Sequence, residues 1–166
     1  MYTITGNTFK ISVRALVEFV YSSGDIDNRD AGVPDVKVMQ EGARMHRKIQ
    51  HQMGASYRAE VPLKHTIDMH SDICGDYNLY IEGRADGIIC DLSEDEDGEK
   101  TPTSPVTIDE IKTTQENIDK IEKAYTVHEA QAKVYGYIYA LKHNLDDITI
   151  QMTYCNPDTE RIKRFS

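Results

Sequence analysis

The chain has 166 residues, 39% hydrophobic and 28% charged, which suits one soluble globular domain with a sizeable core. It has no apolar run near the roughly 18 residues that cross a membrane, and no basic-then-apolar leader at Met1-Tyr2-Thr3-Ile4-Thr5. A net charge of −9 weighs against a simple nucleic-acid binder, because phosphate binding leaves a basic footprint. Cys74, Cys90 and Cys155 are far apart and lack CxxC spacing, which argues against a disulfide framework or zinc ribbon and for a reducing, cytoplasmic setting.

Ser12 is a candidate N-cap for a helix over Val13–Ser23, closed by Gly24, with Val13, Leu16, Val17 and Val20 on its apolar face. Asp25 to Pro34 reads as a loop. A second helix is predicted from Val36 to Met53, ended by Gly54, with Val38, Gly42, Met45, Ile49 and Met53 inward. Arg58–Met69 reads as a strand that Pro62 places at an edge or bulge. Ser71–Asp76 reads as a turn, and Tyr77–Cys90 as a strand bent at Gly83 or Gly87. Asp91–Lys100 is an acidic run, and with the following Thr-Pro-Thr-Ser-Pro it reads as an exposed loop. Val106–Thr113 is a strand, Gln115–Lys123 a loop or frayed helix start, and Ala124–Lys142 a long helix. Asp147–Cys155 and Glu160–Phe165 flank an Asn156–Thr159 turn as a hairpin. Helices, strands, a helix and a hairpin predict an α/β class, a mixed sheet flanked by helices, in one domain over 1–166.

Strand alternation puts Val106, Ile108, Glu110 and Lys112 on one face. An acid and a lysine there are costly to bury unless paired or metal-bound. Taken alone, Glu-x-Lys is equally satisfied by an ion pair beside solvent. Asp86 lies between Ala85 and Gly87, whose small size permits close approach of backbone or ligand. Asp86 and Glu110 on adjacent strands would supply the hard oxygens that Mg²⁺ or Mn²⁺ prefer, with the Ile111 carbonyl as a third ligand and Lys112 beside a bound water. His46, near the buried side of the second helix, is either a satisfied core histidine or a further ligand. On the long helix His128, Gln131, Tyr135 and Ile138 form one stripe, and Val127, Ala130, Val134, Tyr137 and Leu141 its apolar neighbour. The first stripe is either the surface edge of an amphipathic helix or a face in which Gln131 and Tyr135 turn to the metal site, and Gln131 at a core-facing position needs partners.

A helical His (His46 in Glu41-Gly42-Ala43-Arg44-Met45-His46), then Gly83-x-x-Asp86, Glu110-x-Lys112 and Gln131-x-x-x-Tyr135, in that order, resemble the RecB-like branch of the PD-(D/E)XK nuclease superfamily. Ile11 to Phe19 and Ser23-Gly24-Asp25 are similar, more narrowly, to the N-terminal nuclease-like domain of bacterial XPD/DinG-type helicases. The resemblance implies a restriction-endonuclease-like fold and metal-dependent DNA hydrolysis, with exonuclease action in DNA repair or recombination as the expectation. It implies metal binding by His46, Asp86, Glu110 and Ile111, catalysis by Asp86, Glu110 and Lys112, and substrate or site support from Gln131 and Tyr135. The expected partners are DNA and a helicase domain in the same polypeptide, with no membrane. A non-catalytic DNA clamp or interaction domain of such a helicase is the alternative. Some relatives carry an iron–sulfur cluster on one early and three late cysteines. This chain has no early cysteine, so no cluster is expected. Ala85 stands where the family name places proline. Arg14, Arg44, Arg47, Lys48, Lys120 and Lys123 are candidates for tracking the DNA backbone.

Overall fold

The computed structural model describes residues 2–21 and 36–166. The predicted closure of the first helix at Gly24, the Asp25–Pro34 loop and the Ser23-Gly24-Asp25 match lie outside the described residues.

The chain opens with a hairpin that the reading above passed over, β1 (Tyr2–Thr5) and β2 (Thr8–Ser12), turned at Gly6 with φ +57°. The signal was present as a Gly-Asn turn between alternating residues. α1 (Val13–Tyr21) starts where Ser12 Oγ accepts the Ala15 amide at 3.2 Å, the expected cap. Val13 and Val17 are buried and Leu16 packs on the core, but Val20 is exposed. In α2 (Val36–Gln52), Gly42, Met45 and Ile49 face inward as expected, while Val38 is exposed.

β3 (Tyr57–Ser71) and β4 (Gly75–Ile89) form a long antiparallel hairpin, with β3 paired to β4 alone, the edge setting that Pro62 required. The acidic run is not a plain loop. Leu92–Glu94 (β5) and Lys100–Pro102 (β6) pair as a small hairpin, its tip organised by Asp95 Oδ1, which accepts the Asp97 and Glu99 amides. β7 (Thr107–Thr113) and β8 (Thr149–Cys155) run parallel, and β9 (Ile162–Phe165) returns antiparallel beside β8. Between β7 and β8 lie a short 3₁₀ turn (Ile118–Lys120) and α3 (Thr126–His143), which ends at Asn144 in the left-handed conformation.

The result is an α/β fold, a seven-stranded mixed sheet ordered β1-β2-β4-β7-β8-β9 with β3 also on β4, flanked by helices in the restriction-endonuclease-like manner. α1 and α3 cover one face, where Ile11, Ile81, Ile88, Ile108, Ile138 and Tyr139 form the main core. α2 covers the other face over Ile111 and Cys155 with Met45 and Ile49. Of the two stripes expected on α3, Ala130, Tyr135 and Ile138 are buried and Val127 and Val134 pack on the core. Ala132, Tyr135, Gly136 and Tyr139 are buried, whereas Tyr137 and Leu141 are exposed. Gly136 lets this face approach the sheet closely. A Cβ there would sit 3.1 Å from Ile150 and 3.3 Å from Ile148, so the bare backbone seats the helix on β8. Among the described residues no helix is long and apolar enough to cross a membrane.

Candidate metal and phosphodiester site

β4 is long enough for two strands to share one of its edges. β2 pairs with Asn78–Glu82, and β7 pairs only with Gly87, Ile88 and Ile89. Beyond Asp109, β7 leaves β4 and follows β8 instead. The fork opens where β4 carries Asp86 and β7 carries Glu110-Ile111-Lys112. The carboxylate of Asp86 turns into it and accepts the Ile111 amide on Oδ2 at 2.8 Å, replacing a lost ladder bond. Strand geometry sends the Ile111 carbonyl to the same side as its amide, toward the fork.

α2 closes one wall. His46 Nδ1 stands 3.6 Å from Asp86 Oδ1, both half-buried. α3 closes the other. Glu110, 1% exposed, accepts Lys112 Nζ at 2.8 Å and Gln131 Nε2 at 2.7 Å on Oε1, and Gln131 Oε1 accepts Lys112 Nζ at 3.0 Å. The expected sharing of a face by Glu110 and Lys112 therefore holds. Oε2 of Glu110 is buried with no hydrogen-bond partner. Burial, and next the charge of Asp86, push the Glu110 carboxyl up to about 7, against the opposing pull of Lys112 and His46.

Tyr135 is 4% exposed and meets the site from behind. Desolvation, and next the charge of Glu110, lift its phenol to about 12. Gly83 makes room for it, since a Cβ there would stand 2.7 Å from the ring and hydroxyl. His46, Asp86, Glu110, Ile111, Lys112, Gln131 and Tyr135 are thus one neighbourhood drawn from α2, β4, β7 and α3.

Residues that sequence reasoning missed support it. Asp109, fully buried on the opposite face of β7, accepts Thr153 Oγ1 at 2.5 Å, Gln151 Nε2 at 3.1 Å and Tyr57 Oη at 3.1 Å. Both faces of β7 are covered, so an aspartate in it had to be saturated with donors. Gln50, one helical turn after His46, donates to the Asp86 carbonyl at 3.0 Å, and the i, i+4 spacing on α2 was the available signal. His128, which the sequence already places on the stripe of Gln131 and Tyr135, meets the Tyr154 hydroxyl at 3.0 Å, and desolvation with the charge of Lys112 lowers it to about 4.

A divalent cation fits these residues. The orphaned buried Glu110 Oε2 lacks a positive partner, Asp86 repels it, and the donors are hard oxygens with one imidazole. Among the described residues no three His, Cys, Asp or Glu side chains are already gathered in ligating positions. Lys112 is the resident counter-ion of Glu110.

No protein-family model matches the chain, and no curated protein is similar to it at a significant level. Among solved structures, the crystal structure of SSO0001 is similar with a TM-score of 0.51 at 17% identity, covering 98% of this chain and 67% of that one. At that identity the likeness shows the fold alone.

Proposed function

We propose that the chain is a Mg²⁺- or Mn²⁺-dependent DNA nuclease domain of the PD-(D/E)XK type. The observation that carries the reading is Glu110, a buried carboxylate with one oxygen unpartnered, facing Asp86 and His46 across a strand fork and held by Lys112 and Gln131. An arrangement serving only stability would saturate that oxygen, as Asp109 is saturated one residue earlier.

Asp86, Glu110, His46 and the Ile111 carbonyl would hold the cation. When bound, it would polarise a phosphodiester and make a water molecule more acidic. Lys112 has three N–H donors and uses two, on Glu110 and Gln131. The third is free to hold an attacking water or offset charge growing on the phosphoryl oxygens. Gln131 fixes Lys112 and Glu110 together. The buried setting strengthens each of these interactions over its value in water.

Charge distribution supports DNA as substrate despite the net −9. α2, which brings His46 to the site, carries Lys37, Arg44, Arg47 and Lys48 against Glu41. Arg44 and Lys48 share Glu160, at 3.0 and 2.5 Å, and Arg47 is exposed. The β5–β6 hairpin carries Glu94, Asp95, Glu96, Asp97 and Glu99 against Lys100 alone. Cleavage of linear double-stranded and single-stranded DNA with Mn²⁺ tests the proposal. Glu110→Gln and Lys112→Ala should each be slower by roughly 10²–10³-fold, the usual loss for a group that stabilises developing charge. Equal cleavage by all three proteins excludes the site. DNA binding without cleavage by the wild type would favour a clamp.

A further inference from the structure

Regular strands alternate their side chains, so positions an even number apart share a face. β3 and β4 break this rule together. Gly83 lies against Tyr135 on the α3 side, while Gly87, four residues on, lies against Tyr57, which bonds Asp109 on the α2 side. In β3, Arg58 reaches Tyr139 of α3 at 2.6 Å, yet Leu63, five residues on, is buried in the same α3-side core. Each strand therefore reverses its faces once, between 58 and 63 and between 83 and 87.

The ladder locates the reversal. Ala59 pairs with Gly87 and Val61 with Ala85, and the pair between them, Glu60 with Asp86, is skipped. Glu60 has φ 55°, a left-handed conformation unfavourable for any residue with a Cβ. The reversal is what turns the Asp86 carboxylate sideways into the fork instead of up one face of the sheet. Gln50 grips it from α2. Its side-chain amide has two N–H donors and uses both, on Glu60 Oε1 at 3.1 Å and on the Asp86 carbonyl at 3.0 Å. The other Glu60 oxygen takes Arg84 Nε at 3.0 Å. One face of α2 thus offers an imidazole to the Asp86 carboxylate and an amide to its backbone.

We propose that Gln50 and Glu60 are positioning residues for Asp86, a clamp and a strained pivot that keep its carboxylate in the fork. The functional half rests on the reading of Asp86 as a cation ligand. The geometric half is read separately at the Ile111 amide, whose acceptor is Asp86 Oδ2. The probe is Mn²⁺ alone, with free metal followed by electron paramagnetic resonance and Ile111 by amide hydrogen exchange without metal. Gln50→Ala should weaken Mn²⁺ binding by about 10–100-fold, the usual cost of losing a group that orients a ligand, and should speed exchange at Ile111. Glu60→Gly, which tolerates the left-handed backbone, should retain most of the affinity, and Glu60→Val should lose as much as Gln50→Ala. Unchanged Mn²⁺ affinity and unchanged Ile111 exchange in Gln50→Ala overturn the clamp. Equal behaviour of the glycine and valine variants overturns the pivot. Faster Ile111 exchange in Gln50→Ala, in a wild type that binds no Mn²⁺, supports the clamp and overturns the cation reading.

Discussion

The buried Glu110 makes a quantitative prediction that separates metal-free from metal-bound protein. Unfolded, its carboxyl titrates near the ordinary 4.5, and folded it titrates at about 7, chiefly because burial and Asp86 disfavour the anion. Below 4.5 both states are protonated there, so the site carries no pH-dependent penalty. Between 4.5 and 7 the folded state holds the extra proton, so stability falls as pH rises. Above 7 the full cost is present, about 3 kcal/mol from the separation of the two values. Glu110→Gln retains an oxygen for Lys112 and Gln131 but cannot ionise. Its loss of the ion pair with Lys112 offsets the curve without changing its slope. In EDTA, denaturant unfolding of both proteins from pH 4.5 to 8 should show the variant gaining about 3 kcal/mol relative to wild type, or roughly 6–12 °C in melting temperature for a domain of this size. Adding Mn²⁺ at 100 times its Kd at pH 8 should return about 2.7 kcal/mol to the wild type and far less to the variant. Parallel stability curves in EDTA would refute the burial argument. An equal Mn²⁺ gain in both proteins would refute the role of Glu110 in holding the cation.

Three further expectations come from the walls of the site. Gly83→Ala drives a methyl into Tyr135 and should cost about 1–3 kcal/mol, as overpacking does, with a weaker Mn²⁺ response read in the same melts; an unchanged melting temperature would mean that the Tyr135 contact is not close. Tyr57→Phe removes one of three donors to buried Asp109 and should destabilise by about 1–3 kcal/mol, measured in urea, and a neutral result would show that Gln151 and Thr153 suffice. His128 is held neutral to about 4, so its ring resonances should stay those of the free base from pH 8 to 5, and the stability tied to it should be lost as pH falls from 6.5 toward 4. A ring titrating near 6.5 contradicts that burial.

Most elements were legible because local chemistry and tertiary packing agree at them. Ser12 caps α1 as its side chain and the following apolar spacing require, and α2 buries Met45 and Ile49 as its periodicity requires. Glu110 and Lys112 share a face because β7 is regular. The misses arise where tertiary structure decides. The exposure of Tyr137 and Leu141 on α3 goes with the close fit of Gly136 to Ile148 and Ile150, which no helical wheel contains. The β5–β6 hairpin forms in an acidic run because Asp95 caps its own turn. Least legible was the direction of Asp86. Glycine or asparagine at position 60 would have advertised a left-handed residue, whereas glutamate conceals it, and the bend expected at Gly83 or Gly87 lies between them instead.

Four departures from regularity meet at one fork: left-handed Glu60, the skipped ladder pair, the parting of β7 from β4, and the Glu110 oxygen without a partner. Each is unfavourable to the folded chain by itself. The other left-handed residues with a side chain, Asn144 and Glu160, lie at the end of α3 and in the turn before β9. Arg58 Nε on β3 is a second buried polar atom without a partner, whereas Asp109, adjacent to Glu110, shows that a buried acid can be fully satisfied in β7. Strain concentrated where titratable groups converge is the pattern of a site arranged for a ligand rather than for stability. A divalent cation would relieve the two electrostatic costs at once, giving Glu110 Oε2 a partner and separating it from the charge of Asp86. The backbone strain at Glu60 would remain, because its work is to aim Asp86 before any ligand arrives. Loss of Mn²⁺ from the wild type should therefore leave the Glu60 kink and the Ile111–Asp86 hydrogen bond in place, with slow Ile111 exchange in EDTA as the observable, and fast exchange there would show that the cation and not the fold sets the geometry.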